Sequence, residues 1–121
     1  MLVLMIWAGV IQGEAALGAG KRPVCELGKV DYCKGYLTIK QQLAVTTYGT
    51  SGPSCLYITP ANAGGGGKLN IYDVYEEIND QYTVEKELKF RFYSDEAYFV
   101  SYEAKAGGVN YEIKTNNRGC S

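Results

Sequence analysis

Residues 82–113 alternate apolar and charged side chains through three successive runs, and a period of two is the pattern of half-buried β-strands. In the first run, even positions from Tyr82 to Phe92 are mostly aromatic or aliphatic and odd positions mostly charged. The apolar face of the next two runs carries Tyr98, Val100, Tyr102, Val109, Tyr111 and Ile113. Short turns at residues 94–96 and 106–108 separate the runs. The pattern predicts an antiparallel meander with one solvated face and one aromatic face, on which a ligand would bind.

Further strand candidates lie at residues 36–48, 55–59 and 69–77, which brings the predicted total to six strands joined mostly by short turns. Residues 16–35 have no sustained period and predict an irregular segment tied by disulfides. The glycine run before Lys68 lacks the Ser or Thr of a phosphate-binding loop and predicts a flexible connection. The expected fold is therefore all-β, an up-and-down meander within one domain at residues 16–121.

Composition argues against several classes of function. The formal net charge of -1 offers no basic surface for nucleic acid, and the absence of histidine excludes Ser-His-Asp catalysis and imidazole zinc sites. Carboxylates such as Glu85 and Glu87 alternate with Lys89 and Arg91 on what is predicted to be a solvated strand face. We therefore expect a protein that is not an enzyme and that uses no cofactor and no metal.

The N-terminus and the cysteines predict a secreted protein. Residues 2–11 form an apolar run too short to span a bilayer, and small residues follow it, so residues 1–15 are predicted to be a signal peptide. The alternative is a buried N-terminal strand or helix. Cys25, Cys33, Cys55 and Cys120 lack the close paired spacing of a metal site and predict structural disulfides, for which three pairings are open. An extracellular location follows, with no membrane partner expected.

Two charged residues break the alternating pattern and are candidate ligand anchors. Lys86 shares the apolar face of its predicted strand with Val84 and Leu88, where an ammonium group needs a partner, unless a bulge turns it outward. Asp73 shares a face with apolar side chains and would provide a carboxylate among aromatics if that face is inward. The aromatic candidates, which are equally suited to an ordinary core, are Tyr75, Phe90, Tyr98, Tyr102 and Tyr111.

Several of these features together resemble the salivary lipocalins of ticks, the group that includes histamine-binding proteins. The similarity covers roughly residues 36–121 and depends on the strand Gly-Tyr-Leu-Thr-Ile-Lys at residues 35–40, on Cys55 near the start of a strand, and on a chain closing at Cys120. The resemblance implies an eight-stranded barrel with a C-terminal helix that sequesters histamine, serotonin, leukotrienes or other lipids. Some members of that family bind complement proteins.

The sequence also departs from that family. Trp7 lies in the predicted signal, so the mature chain has no tryptophan. The resemblance implies that Cys55 would pair with a C-terminal cysteine and Cys120 with another soon after it, and neither partner is present. Either the chain is a truncated lipocalin with an uncovered edge at residues 109–114, or Cys25 and Cys33 make new pairings.

The expected function is to sequester a small amine such as histamine, or a lipid mediator, in the barrel. The alternative is a disulfide-stabilised secreted protein that binds a host protein through its surface.

Overall fold

The structure is a computed structural model that describes residues 22–61, 66–115 and 120. The described residues form nine β-strands: β1 (Val24–Glu26), β2 (Tyr32–Thr38), β3 (Gln42–Thr46), β4 (Ser54–Pro60), β5 (Gly67–Asp73), β6 (Ile78–Val84), β7 (Leu88–Phe92), β8 (Ala97–Glu103) and β9 (Gly108–Thr115). The prediction of an all-β protein is confirmed. The predicted signal at residues 1–15 lies outside the described residues. Within the described part of the chain, no helix is long and apolar enough to cross a membrane.

The strands form two sheets that face each other. One sheet has five strands in the order β1-β3-β8-β5-β6, and the other has four in the order β2-β9-β4-β7. All neighbouring strands are antiparallel except β1 and β3, which are parallel. At one side of the sandwich the edge strands are β1 and β2, and at the other side they are β6 and β7. The described strands are not closed into a barrel.

The core between the sheets is built by the alternation seen in the sequence. Inward side chains at every second position of the strands join into one buried cluster, which keeps apolar surface from water. In β8 and β9, Glu103, Asn110 and Lys114 are exposed, while the buried side chains are Tyr98, Val100, Tyr102, Val109, Tyr111 and Ile113. The fully buried members with the largest side chains are Phe92, Leu37, Leu43, Leu56, Ile58, Leu69, Ile71 and Ile113. The predicted division into wet and oily faces is therefore confirmed for these strands.

The predicted meander of residues 82–113 is wrong. Strand β7 pairs with β4, β8 lies between β3 and β5, and β9 lies between β2 and β4, so consecutive strands alternate between the two sheets. A period of two identifies the buried face of a strand but not the sheet to which the strand belongs. Strands β7 and β9 face the shared core from one sheet, and β8 faces it from the other. The predicted uncovered edge at residues 109–114 is wrong for the same reason, because β9 is paired on both sides.

Two predicted strands are each divided in two. The run at residues 36–48 breaks between β2 and β3, where the backbone N–H of Gln41 donates to the Thr38 carbonyl (3.2 Å) and the Thr38 N–H donates to the Gln41 side chain (3.1 Å). The run at residues 82–93 breaks after Val84, where the chain passes from one sheet to the other. The segment predicted to be irregular contains β1 and the start of β2. The six predicted strands thereby become nine.

Two disulfides join distant parts of the fold. Cys25 of β1 is bonded to Cys33 of β2 with their Cα atoms 6.1 Å apart, so this bridge links the edge strands of the two sheets. Cys55 of β4 is bonded to Cys120, 65 residues further along the chain. The prediction of disulfides is confirmed, and of the three open pairings this is the one formed. The pairing indicates an oxidising environment.

Candidate functional site

A cleft of about 390 Å³ opens on the side of the sandwich where β6 and β7 are the edge strands. It lies where the connection between β5 and β6 approaches the turn between β7 and β8. Its lining combines acidic, aromatic and aliphatic side chains: Ile71, Asp73, Glu76, Ile78, Asp80, Phe90, Tyr93, Glu96 and Tyr98. None of these lining residues is basic. The cleft is therefore anionic, with aromatic walls.

Asp73 is fixed at the cleft by the turn that it begins. The backbone N–H groups of Tyr75 and Glu76 donate hydrogen bonds to its Oδ1 at 3.0 and 3.2 Å, and the Glu77 N–H donates to its carbonyl at 2.8 Å. Glu77 has a positive φ of 57°, which lets the chain reverse within four residues before Ile78 pairs across from Asp73. This Asx-type turn holds the carboxylate at the end of β5.

Thr47 holds the turn on the opposite wall. Its buried hydroxyl donates to the Tyr93 carbonyl at 2.6 Å and accepts from the Glu96 N–H at 2.9 Å. Its backbone N–H donates to the Glu96 carbonyl at 3.0 Å, and its carbonyl accepts from the Asp95 N–H at 2.9 Å. One residue just beyond β3 thus holds the turn from Tyr93 to Glu96 through both its side chain and its backbone. This turn positions two lining residues of the cleft, Tyr93 and Glu96.

Glu96 carries the least satisfied group of the cleft. Its Oε1 is buried and receives no hydrogen bond from the described part of the chain. A hydrogen bond with the Asp73 carboxyl raises the pKa of Glu96 above its ordinary value, and desolvation and repulsion by Asp73, Glu76 and Asp95 add to the increase. The raised pKa means that the ionised form of this carboxyl is less favourable than that of an ordinary glutamate.

The aromatic wall is a cluster of rings in edge contacts around Phe90. Its ring centroid lies 5.4 Å from that of Phe92, 6.4 Å from Tyr98 and 5.9 Å from Tyr82. The Tyr98 hydroxyl accepts a hydrogen bond from the Tyr93 N–H at 2.9 Å. Burial, which outweighs this hydrogen bond, raises the pKa of Tyr98 to about 12, so the phenol stays neutral at physiological pH.

This arrangement suits a small organic cation. Aromatic faces attract an ammonium group through their quadrupoles, and carboxylates provide charge-assisted hydrogen bonds. Both kinds of group line one concave surface here, and a buried acceptor oxygen has a free position for an N–H donor. Among the described residues there is no cluster of histidine, cysteine, aspartate and glutamate side chains suited to a metal ion.

The structure brings together three of the seven predicted ligand-binding residues. Asp73, Phe90 and Tyr98 line the cleft. Tyr75 follows Asp73 in the turn; its side chain is exposed, and its hydroxyl is hydrogen-bonded to that of Tyr48.

The other three predicted residues lie elsewhere. Lys86 is exposed in the bend between β6 and β7 and does not line this cleft, because the strand ends at Val84 and the alternation no longer applies. Tyr102 is buried beside Gly67. Tyr111 is buried against Gly35 and lines a separate depression near Cys33.

The predicted ligand-binding residues do not include Glu76, Asp80, Glu96 or Thr47. The three carboxylates lie in or beside turns or on an edge strand, where an acidic residue ordinarily faces solvent. Thr47 follows β3 and meets its partners from residues 93–96 only in the folded chain. Position in a turn gave no signal that could separate these residues from other surface carboxylates.

No protein-family model and no curated protein matches the chain. Among solved structures, it is similar to PliG from Aeromonas hydrophila, a periplasmic lysozyme inhibitor of g-type lysozyme, with 9% identity, a TM-score of 0.40, and coverage of 78% of this chain and 95% of that one. It is also similar to the pre-peptidase C-terminal domain of collagenase from Bacillus anthracis, with 12% identity, a TM-score of 0.46, and coverage of 78% and 94%. Neither similarity bears on ligand or partner.

Proposed function

We propose that this protein is a secreted, non-enzymatic binder that sequesters a small organic cation, such as a biogenic amine, in the cleft between Asp73 and Glu96. The observation that carries the proposal is the lining itself, in which four carboxylates and three aromatic rings converge without a basic side chain. An ammonium group between the carboxyl groups of Asp73 and Glu96 would favour the ionised form of Glu96, whose pKa is raised without it. Its charge would also offset their mutual repulsion.

The aromatic rings would supply the rest of the recognition. A cation near the face of Phe90 or Tyr98 gains about 0.5–2 kcal/mol, more where water is excluded. The apolar side chains Ile71 and Ile78 would cover the hydrocarbon part of the ligand. Binding of this kind needs no cofactor, and the expected kinship with the amine-sequestering salivary lipocalins of ticks is part of the same proposal.

Calorimetric titration with histamine and phenethylamine tests this function. Asp73→Asn retains the oxygen that accepts the turn hydrogen bonds but removes the charge, so we expect amine affinity to fall about tenfold while the fold is kept. Glu103→Gln is the matched control, because it removes one charge from an exposed position outside the cleft and should leave affinity within about twofold. Lys86→Met should also leave affinity unchanged. Equal affinities for Asp73→Asn and Glu103→Gln would contradict the proposal.

A second candidate is a surface that binds a host protein. Its specific support is a group of exposed tyrosines near the mouth of the cleft: Tyr48, Tyr75 and Tyr93 are 45%, 59% and 62% exposed. Tyr48 and Tyr75 pack edge to face with centroids 6.3 Å apart. Exposed tyrosines are enriched in protein interfaces, where they provide large contact area at low entropic cost. Loss of a captured protein partner from Tyr75→Ser and Tyr93→Ser variants, without loss of amine affinity, would favour this function.

A further inference from the structure

A second, smaller cavity lies next to the acidic cleft and is almost entirely apolar. It has a volume of about 20 Å³, enough for about one water-sized group. Its lining residues are Ile58, Leu69, Ile71, Tyr82, Leu88, Lys89 and Phe90. The ammonium of Lys89 lies 5.7 Å from the ring centroid of Tyr57. Ile71 and Phe90 line both this cavity and the acidic cleft, so one pair of side chains separates the two spaces.

The wall at Phe90 belongs to the side of the sandwich that side chains alone hold together. In the described part of the chain, β6 pairs with β5 and β7 pairs with β4, with no backbone pairing between the two edges. Phe90 and Leu88 are half-buried there, and the ring of Phe90 meets Tyr82 of β6 in an edge contact. On the opposite side, the disulfide between Cys25 and Cys33 links the edges covalently. A rotation of Phe90 would therefore join the two spaces without breaking a backbone hydrogen bond.

The two spaces differ in chemistry in the way that the two ends of an amphiphile differ. The outer one presents the carboxyl groups of Asp73 and Glu96, and the inner one presents Ile58, Leu69 and Leu88. We propose that the ligand of the cleft is an amphiphilic amine, whose ammonium group binds between the two carboxyl groups and whose hydrocarbon tail passes Phe90 into the space between β6 and β7. This inference depends on the proposed amine-binding function and narrows its ligand class.

A homologous series of linear alkylammonium ions tests the tail. The ions from ethyl- to octylammonium are titrated into the protein by calorimetry, below their micellar concentrations, with the alcohols of equal length as uncharged controls. Each methylene that becomes buried is expected to increase affinity about fourfold, which corresponds to about 0.8 kcal/mol. Because the inner cavity of about 20 Å³ admits about one such group, the increase should end about one methylene after the chain passes Phe90. The alcohols should bind at least tenfold more weakly at every length.

Two variants at one position locate the tail. Leu88→Phe narrows the inner cavity and should abolish the increase with chain length while leaving ethylammonium affinity unchanged. Leu88→Ala enlarges the cavity and should extend the increase to longer chains, so the proposal stays testable if the bulkier variant does not fold. Asp73→Asn should lower the affinity for every amine by the same factor without changing the increase in affinity per methylene.

The outcomes separate this inference from the function on which it rests. Equal affinities for short and long amines would contradict the proposal that the ligand is amphiphilic, but not the amine-binding function. No binding of any ammonium ion would overturn both. If the increase in affinity per methylene is the same in the wild type and in both Leu88 variants, the tail binds elsewhere and the inference is overturned.

Discussion

The hydroxyl of Thr47 donates a hydrogen bond of 2.6 Å to the backbone carbonyl of Tyr93, 46 residues away in the sequence. Because the same oxygen accepts from the Glu96 N–H, the position of one acidic wall of the cleft depends on a side chain that does not line it. The turn between β7 and β8 is thus held in large part by Thr47, the residue that follows β3.

Thr47→Val removes the hydroxyl with little change of shape and leaves two backbone groups without their partner. We expect unfolding free energy to fall by about 1–3 kcal/mol in urea denaturation, and amine affinity to fall with it as Glu96 shifts. Thr83→Val is the control, because that exposed hydroxyl accepts a hydrogen bond from Lys68 at 2.8 Å and its loss should change stability by less than about 0.5 kcal/mol. Equal stability of the two variants would show that the turn does not need Thr47.

Glu96→Gln should change how stability depends on pH. A carboxyl whose pKa is raised in the folded state stabilises that state most below its ordinary value of 4.5, and this contribution is lost as pH rises through the raised value. We therefore expect Glu96→Gln to be more stable than the wild type at neutral pH without ligand, with the difference shrinking as pH falls toward 4. Urea midpoints measured from pH 4 to pH 8 test this. A difference that does not vary with pH would argue against a raised pKa of Glu96.

Amine binding should show the opposite preference for pH. A bound ammonium favours the ionised carboxyl, so affinity should decrease as pH falls through the raised pKa of Glu96, at a higher pH than an ordinary glutamate would give. Phenethylamine stays charged over this range, so titrations between pH 4 and pH 8 report on the protein alone. An affinity that is constant down to pH 4 would mean that Glu96 does not contact the ligand.

The two disulfides should contribute unequally to stability. Loop closure predicts about 2.5 kcal/mol for a bridge across 8 residues and about 4 kcal/mol for one across 65. The double variant Cys55→Ser and Cys120→Ser should therefore unfold at lower guanidinium concentration than the double variant Cys25→Ser and Cys33→Ser. The reverse order would mean that linking β1 to β2 matters more than chain entropy predicts.

Gly35 leaves room for an aromatic ring. A Cβ atom at this position would lie 2.8 Å from the hydroxyl oxygen of Tyr111, its directly opposite partner across β2 and β9. Gly35→Ala should cost about 1–3 kcal/mol of unfolding free energy, because the ring must shift in a packed interior. Adding Tyr111→Leu should make the same alanine substitution nearly neutral in a double-mutant cycle. Additive effects would exclude the clash.

Much of the fold was predictable from local pattern. The alternation identified the inward residues of β8 and β9, such as Val100 and Ile113, because burial on one face is a property of each strand alone. Phe90 and Tyr98 were also identified as ligand candidates, since each placed aromatic surface on a face predicted to be inward. Asp73 was a candidate on the condition that its face is inward, which the sequence left open.

The rest depended on contacts between distant segments. Alternation with a period of two does not determine which strands are neighbours, so the distribution of β7, β8 and β9 over two sheets could not be predicted from it. Lys86 was misplaced because the change of sheet after Val84 interrupts the alternation. Glu96 has the sequence context of an ordinary turn residue, and its approach to Asp73 and its buried Oε1 distinguish it in the folded chain.

The bridge between Cys25 and Cys33 links the two sheets covalently at the β1 and β2 edges, whereas side-chain contacts join the opposite edges, β6 and β7. Thermal breathing of such a body is directional, because separation of the sheets is resisted covalently on one side and by ring contacts on the other. We expect amide hydrogens of β6 to exchange with solvent well before those of β3, which pairs with the disulfide-linked strand β1. A guest molecule and the solvent it displaces would then use the same route.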